Sequence, residues 1–197
     1  ESLLEALLTS LGMVAIAEMG DKTQLLSFVL AARFRGQQWT IIAGIFVATL
    51  VNHVLAALLG DWAAMTVDPK VLGWILGLSF LGFAVWALIP DKLEDAGQNN
   101  GKYGAFVTTL ILFFLAEMGD KTQLATTALG AQFASLGMVS IGTTLGMMVA
   151  NVPAVLLGEK LCERIPLSKI RFVAAALFAI FGVLILVSVI GISTFAQ

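Results

Sequence analysis

The sequence predicts an all-α integral membrane protein with six transmembrane helices, arranged as two inverted three-helix repeats. Three observations predict this fold class: the composition, six apolar runs of membrane-spanning length, and an acidic segment that occurs twice. The chain of 197 residues is 59% hydrophobic and 12% charged, with a mean hydropathy of +0.96. A soluble domain of this size needs a more polar surface, so the composition favours a membrane protein.

Six apolar runs reach the length of about 20 residues that crosses a bilayer as a helix. They cover approximately residues 3–31, 39–61, 71–89, 103–131, 136–158 and 170–195. Polar or turn-forming segments separate them. A helix satisfies its own backbone hydrogen bonds in lipid, and the sequence lacks the short alternating segments of a β-barrel. We therefore expect all six runs to be helices.

The positive charges predict the orientation of these helices. Eight cations lie in or beside the loops that join runs 1 and 2, 3 and 4, and 5 and 6, namely Arg33, Arg35, Lys92, Lys102, Lys160, Arg164, Lys169 and Arg171. The loops on the opposite side hold only Lys70. Lysine and arginine concentrate on the cytoplasmic side of membrane proteins. We therefore expect the first set of loops to be cytoplasmic and both termini to lie outside.

A repeated segment divides the chain into halves. Residues 17–25 (AEMGDKTQL) recur unchanged as residues 116–124. Each half contains three apolar runs, and an odd number of spans inverts the second half relative to the first. We predict a first three-helix repeat over 1–95, a cytoplasmic linker over 96–102 and a second, inverted repeat over 103–197. Inverted repeats are typical of secondary transporters whose site lies near the membrane midplane.

The repeated motif places acidic groups at membrane depth, where an ionisable side chain indicates a functional site. On a helix, residues three apart share a face. Carboxylate and amide oxygens suit Ca²⁺, Mg²⁺ or Mn²⁺ better than Zn²⁺ or Cu⁺. The predicted metal ligands are Glu18, Asp21 and Gln24 in the first copy, and Glu117, Asp120 and Gln123 in the second.

The remaining motif positions support the acidic residues. They are Gly20, Lys22 and Thr23 in the first copy, and Gly119, Lys121 and Thr122 in the second. The glycines weaken the helix, and each threonine can bond the carbonyl four residues back. Each lysine stands four residues after the glutamate of its own motif, a favourable spacing for an ion pair. Each motif carries two negative groups and one positive, so the pair sums to −2, which one divalent cation or two protons would cancel.

Other residues narrow the classes of function. A single cysteine excludes an internal disulfide, and a single histidine, His53, argues against a zinc site. The sequence contains no basic run, and we expect no nucleic-acid partner. His53 corresponds to Asn151 in the second half, which cannot titrate. We therefore favour a hydrogen bond between helices over a proton relay for His53.

The doubled E-M-G-D-K-T resembles the signature E-x-G-D-[KR]-[ST] of the Golgi Ca²⁺/Mn²⁺–proton exchanger family, whose bacterial members include manganese exporters. The resemblance covers nearly the whole chain. It implies that Glu18, Asp21, Glu117 and Asp120 bind the cation. It also implies a transporter rather than an enzyme, without a prosthetic group, in a bacterial cytoplasmic membrane.

We therefore expect a secondary active transporter that exports a divalent cation, with Mn²⁺ as the first candidate, in exchange for protons. One alternative is a Ca²⁺–proton exchanger of the same architecture. An exporter of a small organic solute is another. An intramembrane aspartyl protease using Asp21 and Asp120 is disfavoured, because the two motifs of such enzymes differ from each other. The expected partners are the metal ion and the lipid bilayer, and a homo-oligomer is left open.

Overall fold

The computed structural model describes residues 2–90, 103–158 and 166–195, which contain eight α-helices and no strand. The helices are α1 (Leu3–Glu18), α2 (Lys22–Arg33), α3 (Gln38–Thr66), α4 (Pro69–Ala87), α5 (Gly104–Glu117), α6 (Lys121–Phe133), α7 (Leu136–Leu157) and α8 (Leu167–Phe195). The predicted linker 96–102 lies outside the described residues. So do four of the cations that predict the orientation, namely Lys92, Lys102, Lys160 and Arg164.

The all-helical prediction is confirmed, with four to five candidate membrane spans among the described residues. Helices α3, α4, α7 and α8 are each long and apolar enough to cross a membrane. Helices α1 and α2 qualify together as one span that bends by 68° between them, and α5 is a shorter apolar helix. Six predicted runs correspond to eight helices because the first and fourth runs are each divided in two.

Both divisions fall at the repeated motif. α1 and α5 end at its glutamate, and α2 and α6 begin at its lysine. Gly20 and Gly119 between them have φ angles of +78° and +72°. Glycine adopts this left-handed conformation without the steric cost of a Cβ atom. Asp21 and Asp120 follow with extended backbones at the N-cap positions of α2 and α6. The same residues thus produce the same break twice.

Each broken helix pair packs against a long helix from the other half of the chain. α1 and α2 pack on α7, whereas α5 and α6 pack on α3. The two long helices α3 and α7 also contact each other, and α4 packs along α8. Both copies of the motif are therefore held at the centre of the molecule by helices that lie far away in the sequence.

Small residues allow the helices to approach closely at these interfaces. A Cβ atom added at Gly142 of α7 would lie 2.6 Å from the carbonyl oxygen of Leu7 in α1. A Cβ atom at Gly130 of α6 would lie 2.6 Å from the carbonyl oxygen of Ala57 in α3. Backbone atoms cannot yield as the end of a side chain can, so larger residues at these two positions would separate the helices.

Candidate functional site

Four carboxylates from the two motifs converge at the centre of the molecule. Glu18, Asp21, Glu117 and Asp120 are at most 3% exposed. Each offers an oxygen atom, and these oxygens all lie within 4.8 Å of one another. Hard divalent cations bind oxygen at about 2.0–2.6 Å, so ligands on opposite sides of one ion lie about 4.0–5.2 Å apart. The spacing of the four carboxylates therefore fits a single cation.

The broken helices create this arrangement. The glutamates are the last residues of α1 and α5, and the aspartates precede the first residues of α2 and α6. Each of the four carboxylates has one buried oxygen without a hydrogen-bond partner in the described part of the chain, namely Glu18 Oε1, Asp21 Oδ2, Glu117 Oε1 and Asp120 Oδ2. A buried acceptor without a partner is costly. These four oxygens are therefore the atoms available to a cation or to protons.

The motif threonines hold the glutamates. The Thr23 hydroxyl donates a hydrogen bond to Glu18 Oε2, and the Thr122 hydroxyl donates one of 3.0 Å to Glu117 Oε2. The expectation that each threonine bonds the carbonyl four residues back is wrong. It assumed a continuous helix, whereas the break turns the threonine of the second helix toward the glutamate that ends the first.

The motif lysines pair across the two repeats. Lys121 forms an ion pair and a hydrogen bond with Asp21, and Lys22 Nζ lies 3.4 Å from Asp120 Oδ1. Both ion pairs thus join a lysine to the aspartate of the other motif, whereas a spacing of four residues favours the glutamate of the same motif only along an unbroken helical turn. The two crossed pairs also differ in exposure: the Lys121 side chain is 4% exposed and the Lys22 side chain 29%.

The motif glutamines cap the breaks. The amide oxygen of Gln24 accepts a hydrogen bond of 2.8 Å from the Gly20 backbone N–H. The amide oxygen of Gln123 accepts one of 2.6 Å from the Gly119 N–H. The predicted role of these glutamines as metal ligands stays a prediction. Their contacts in the structure give them a different task, which is to hold the glycine backbone in its turned conformation.

Helix α7 contacts the first break, and helix α3 lies beside the second. On α7, the backbone carbonyl of Ala150 accepts a hydrogen bond of 2.9 Å from the Gln24 amide. On α3, His53 Nε2 lies 3.8 Å from Glu117 Oε2. The hydrogen bond between helices that we expected for His53 is absent from the described residues. The sequence contains no signal for the closeness of His53 and Glu117, because it depends on how α3 packs against α5.

The formal charge of the centre is negative when all four carboxylates are ionised. Four carboxylates and two lysines meet there, and their charges sum to −2. A region of net charge within a membrane is unfavourable unless an ion or protons neutralise it. A small cavity of about 10 Å³ adjoins Asp21 and Lys121, and Ile89 and Arg171 line it at the ends of α4 and α8. The site is thus suited to a divalent cation, and the cavity marks one point of approach to it.

The chain is similar in sequence to known proteins. A sequence profile described as "Divalent cation/proton antiporter GDT1" matches residues 6–95 and 105–192. A Vibrio cholerae protein named "Putative manganese exporter" is 52% identical, over 90% of this chain and 88% of its own length. GDT1-like protein 5 of Arabidopsis thaliana is 28% identical, over 92% of this chain and 95% of its own length. No solved structure matches the chain.

Proposed function

The chain belongs to the GDT1 family of divalent cation/proton antiporters, and from this premise we propose that it exports Mn²⁺ from the cytoplasm in exchange for protons. The family membership makes it a transporter and not an enzyme, which sets aside the aspartyl protease. It also sets aside the exporter of an organic solute, because the family's substrate is a divalent cation. The choice of Mn²⁺ draws on the name of the Vibrio cholerae relative.

One observation carries the proposal that the four carboxylates are the transport site. Glu18, Asp21, Glu117 and Asp120 come from two separate copies of one motif, yet an oxygen from each lies within 4.8 Å of the others. Unpaired carboxylates repel one another when buried together. An arrangement that holds four of them, each with an unpartnered oxygen, is explained when a cation occupies the space between them.

The charge balance supports exchange of one divalent cation for two protons. The crossed lysines compensate two of the four negative charges. The remaining two are neutralised by one Mn²⁺ or by two protons on the unpartnered oxygens, so the site is neutral in both loaded states. Reversal-potential measurements in liposomes test this ratio, and a value of one proton per metal would contradict it.

We also propose that the eight helices make six spans in two inverted repeats, in which the α1–α2 and α5–α6 pairs each count as one span. The interhelical contacts support this arrangement. α7 meets α1 near the start of both helices, at Gly142 and Leu7, and α3 meets α6 in the later half of both, at Ala57 and Gly130. One set of half-helices therefore lies on one side of the site, and α2 and α5 lie on the other.

The packing of these half-helices is unequal, which supports alternating access. α1 packs on α7 more extensively than α2 does, and α6 packs on α3 more extensively than α5 does. α1 and α6 belong to the side that the positive charges predict to be external. Under this proposal the external ends are closed here, and a second conformation closes the cytoplasmic ends instead, which moves the metal across the membrane.

Ca²⁺ is the second candidate substrate, because a set of four carboxylates also suits this ion. The test is metal flux in proteoliposomes with an imposed pH gradient, comparing Mn²⁺, Ca²⁺ and Mg²⁺. We expect Mn²⁺ to move in the direction opposite to the protons. We also expect Mg²⁺ to inhibit this Mn²⁺ flux less than Ca²⁺ does. Faster Ca²⁺ than Mn²⁺ flux would favour the second candidate, and no gradient-driven flux of any of the three ions would refute the proposal.

A further inference from the structure

The proposed transport mechanism gives no function to His53, whose side chain lies beside the four carboxylates. His53 lies in the middle of α3 and is fully buried. Neither of its ring nitrogens has a hydrogen-bond partner among the residues that the structure describes. Its Nε2 atom lies 3.8 Å from Glu117 Oε2, too far for a hydrogen bond. A buried imidazole with two unused nitrogens, directed at a carboxylate, indicates a missing partner.

The corresponding position in the second repeat shows what a purely structural residue does there. Asn151 of α7 accepts a hydrogen bond of 2.9 Å from the Ser27 hydroxyl and donates one of 2.9 Å to the Met147 carbonyl. The counterpart of Ser27 in the second repeat is Thr126, and each hydroxyl lies within hydrogen-bond distance of the carbonyl four residues earlier in its own helix, at 3.0 Å from Thr23 and 2.7 Å from Thr122. Only the Ser27 hydroxyl also reaches the asparagine of the other repeat. The two repeats therefore differ at this point, and only the first leaves its central polar side chain on α3 unused.

We propose that His53 is a fifth ligand of the transported metal and that its nitrogen selects Mn²⁺ over Ca²⁺. This inference rests on the proposed function of the four-carboxylate site. Two donor atoms that each lie about 2.1 Å from one ion are about 3.0–4.2 Å apart when the angle at the ion is between 90° and 180°. The 3.8 Å between His53 Nε2 and Glu117 Oε2 falls in this interval. Both atoms can therefore bind one ion, while Glu117 Oε2 accepts the Thr122 hydrogen bond through its other lone pair. His53 is not in the group whose ligand atoms all lie within 4.8 Å of one another, so the ion that it binds lies on the Glu117 side of the four carboxylates.

The chemistry of the ligand explains the selectivity. Ca²⁺ and Mg²⁺ bind oxygen atoms almost exclusively. Mn²⁺ also favours carboxylate oxygen, but as a divalent transition metal it accepts an imidazole nitrogen that Ca²⁺ does not. A neutral ligand also leaves the charge balance of the site unchanged. The four carboxylates thus supply charge that attracts any divalent cation, and His53 supplies the atom that distinguishes a transition metal from Ca²⁺.

The chain offers a direct spectroscopic test because it contains a single histidine. The protein is purified without a histidine tag, reconstituted in nanodiscs and loaded with Mn²⁺. Electron spin echo envelope modulation then reports nitrogen nuclei bound to the metal. We expect an imidazole nitrogen signal that changes when the protein is made with ¹⁵N-histidine. The wild-type protein suffices for this comparison, so it does not depend on whether a variant folds.

Variants test the selectivity. His53→Gln replaces the nitrogen ligand with an amide, and we expect the preference for Mn²⁺ over Ca²⁺ in competition transport to fall by about tenfold or more, since changes around metal ligands cost 10–100-fold in affinity. Thr49→Val is the matched control, because Thr49 lies one turn earlier on α3 and is also buried with an unpartnered hydroxyl. It should leave the preference unchanged.

The outcomes separate this inference from the proposed function. Bound Mn²⁺ without an imidazole signal, together with Mn²⁺ transport that requires the carboxylates, overturns the role of His53 and leaves the carboxylate site intact. An imidazole signal that persists in His53→Gln also overturns it. Failure of the wild-type protein to bind or transport Mn²⁺ overturns both.

Discussion

The crossed ion pairs lead to a prediction with an unusual sign: removing a positive charge from the site should tighten metal binding. Lys22 Nζ lies 3.4 Å from Asp120 Oδ1. At this distance two unit charges attract each other by about 5 kcal/mol with an effective dielectric constant of 20, and by about 1 kcal/mol in bulk water. The Lys22 side chain is 29% exposed, so the attraction lies between these limits. A metal that binds Asp120 must overcome it.

Lys22→Gln therefore relieves a competition of at least 1 kcal/mol, and tenfold in affinity corresponds to about 1.4 kcal/mol. We expect the dissociation constant for Mn²⁺ to fall by about fivefold or more in nanodiscs, measured from the free Mn²⁺ signal in electron paramagnetic resonance. Transport should slow, because a site with a charge of −3 releases the metal less readily to two protons. An unchanged or weaker affinity in a variant as stable as the wild type would refute the role of Lys22 as a competing cation.

The control for this experiment is Lys70→Gln, the same substitution at an exposed lysine in the first turn of α4. It should change neither the affinity nor the rate, because Lys70 lies outside the group of charges around the four carboxylates. A similar tightening in both variants would indicate a general effect of net charge and would contradict a specific effect at Asp120.

Three further predictions concern the carboxylates, the helix breaks and the helix contacts. Glu18→Gln and Asp120→Asn should each abolish Mn²⁺ efflux from loaded vesicles while leaving the amount of inserted protein unchanged; wild-type efflux in both would remove the carboxylates from the mechanism. In Gly119→Ala, no atom lies within 4 Å of the new Cβ. We therefore expect a loss of about 1 kcal/mol in unfolding free energy from the φ of +72° alone, and a melting temperature equal to that of the wild type would contradict this. Gly130→Val should separate α6 from α3 and open the external side. A cysteine introduced beside Glu18 should then react faster with a membrane-impermeant thiol reagent, and an unchanged labelling rate would contradict closure at this contact.

Much of the helical organisation could be predicted from the sequence. The predicted runs agree with the helices to within a few residues, apart from the breaks: the run 39–61 lies within α3, and the run 136–158 matches α7 closely. Hydropathy reports this level of structure well, because each helix satisfies its own backbone hydrogen bonds and exposes apolar side chains. The family assignment and the antiporter function, predicted from the doubled motif, are confirmed by the comparisons.

The breaks and their consequences were harder to predict. The glycines indicated a weakened helix, but residue spacing on an ideal helix does not lead to the aspartate partners of the lysines or to the glutamate partners of the threonines. Because the chain turns at Gly20 and Gly119, the helical rotation of about 100° per residue does not predict how side chains before the turn face those after it. The partners of Lys22 and Thr23 therefore follow from the geometry of the turn.

The sequence by itself determined the class of protein, the two copies of the acidic motif, their net charge and the oxygen chemistry that suits a divalent cation. Only the tertiary structure decided that the four carboxylates meet, that each lysine pairs with the aspartate of the other motif, and that His53 lies beside Glu117. The physical reason is that these contacts join helices from the two halves of the chain, far apart in the sequence. Their positions are fixed by close packing at small residues such as Gly130 and Gly142, which local sequence patterns do not encode.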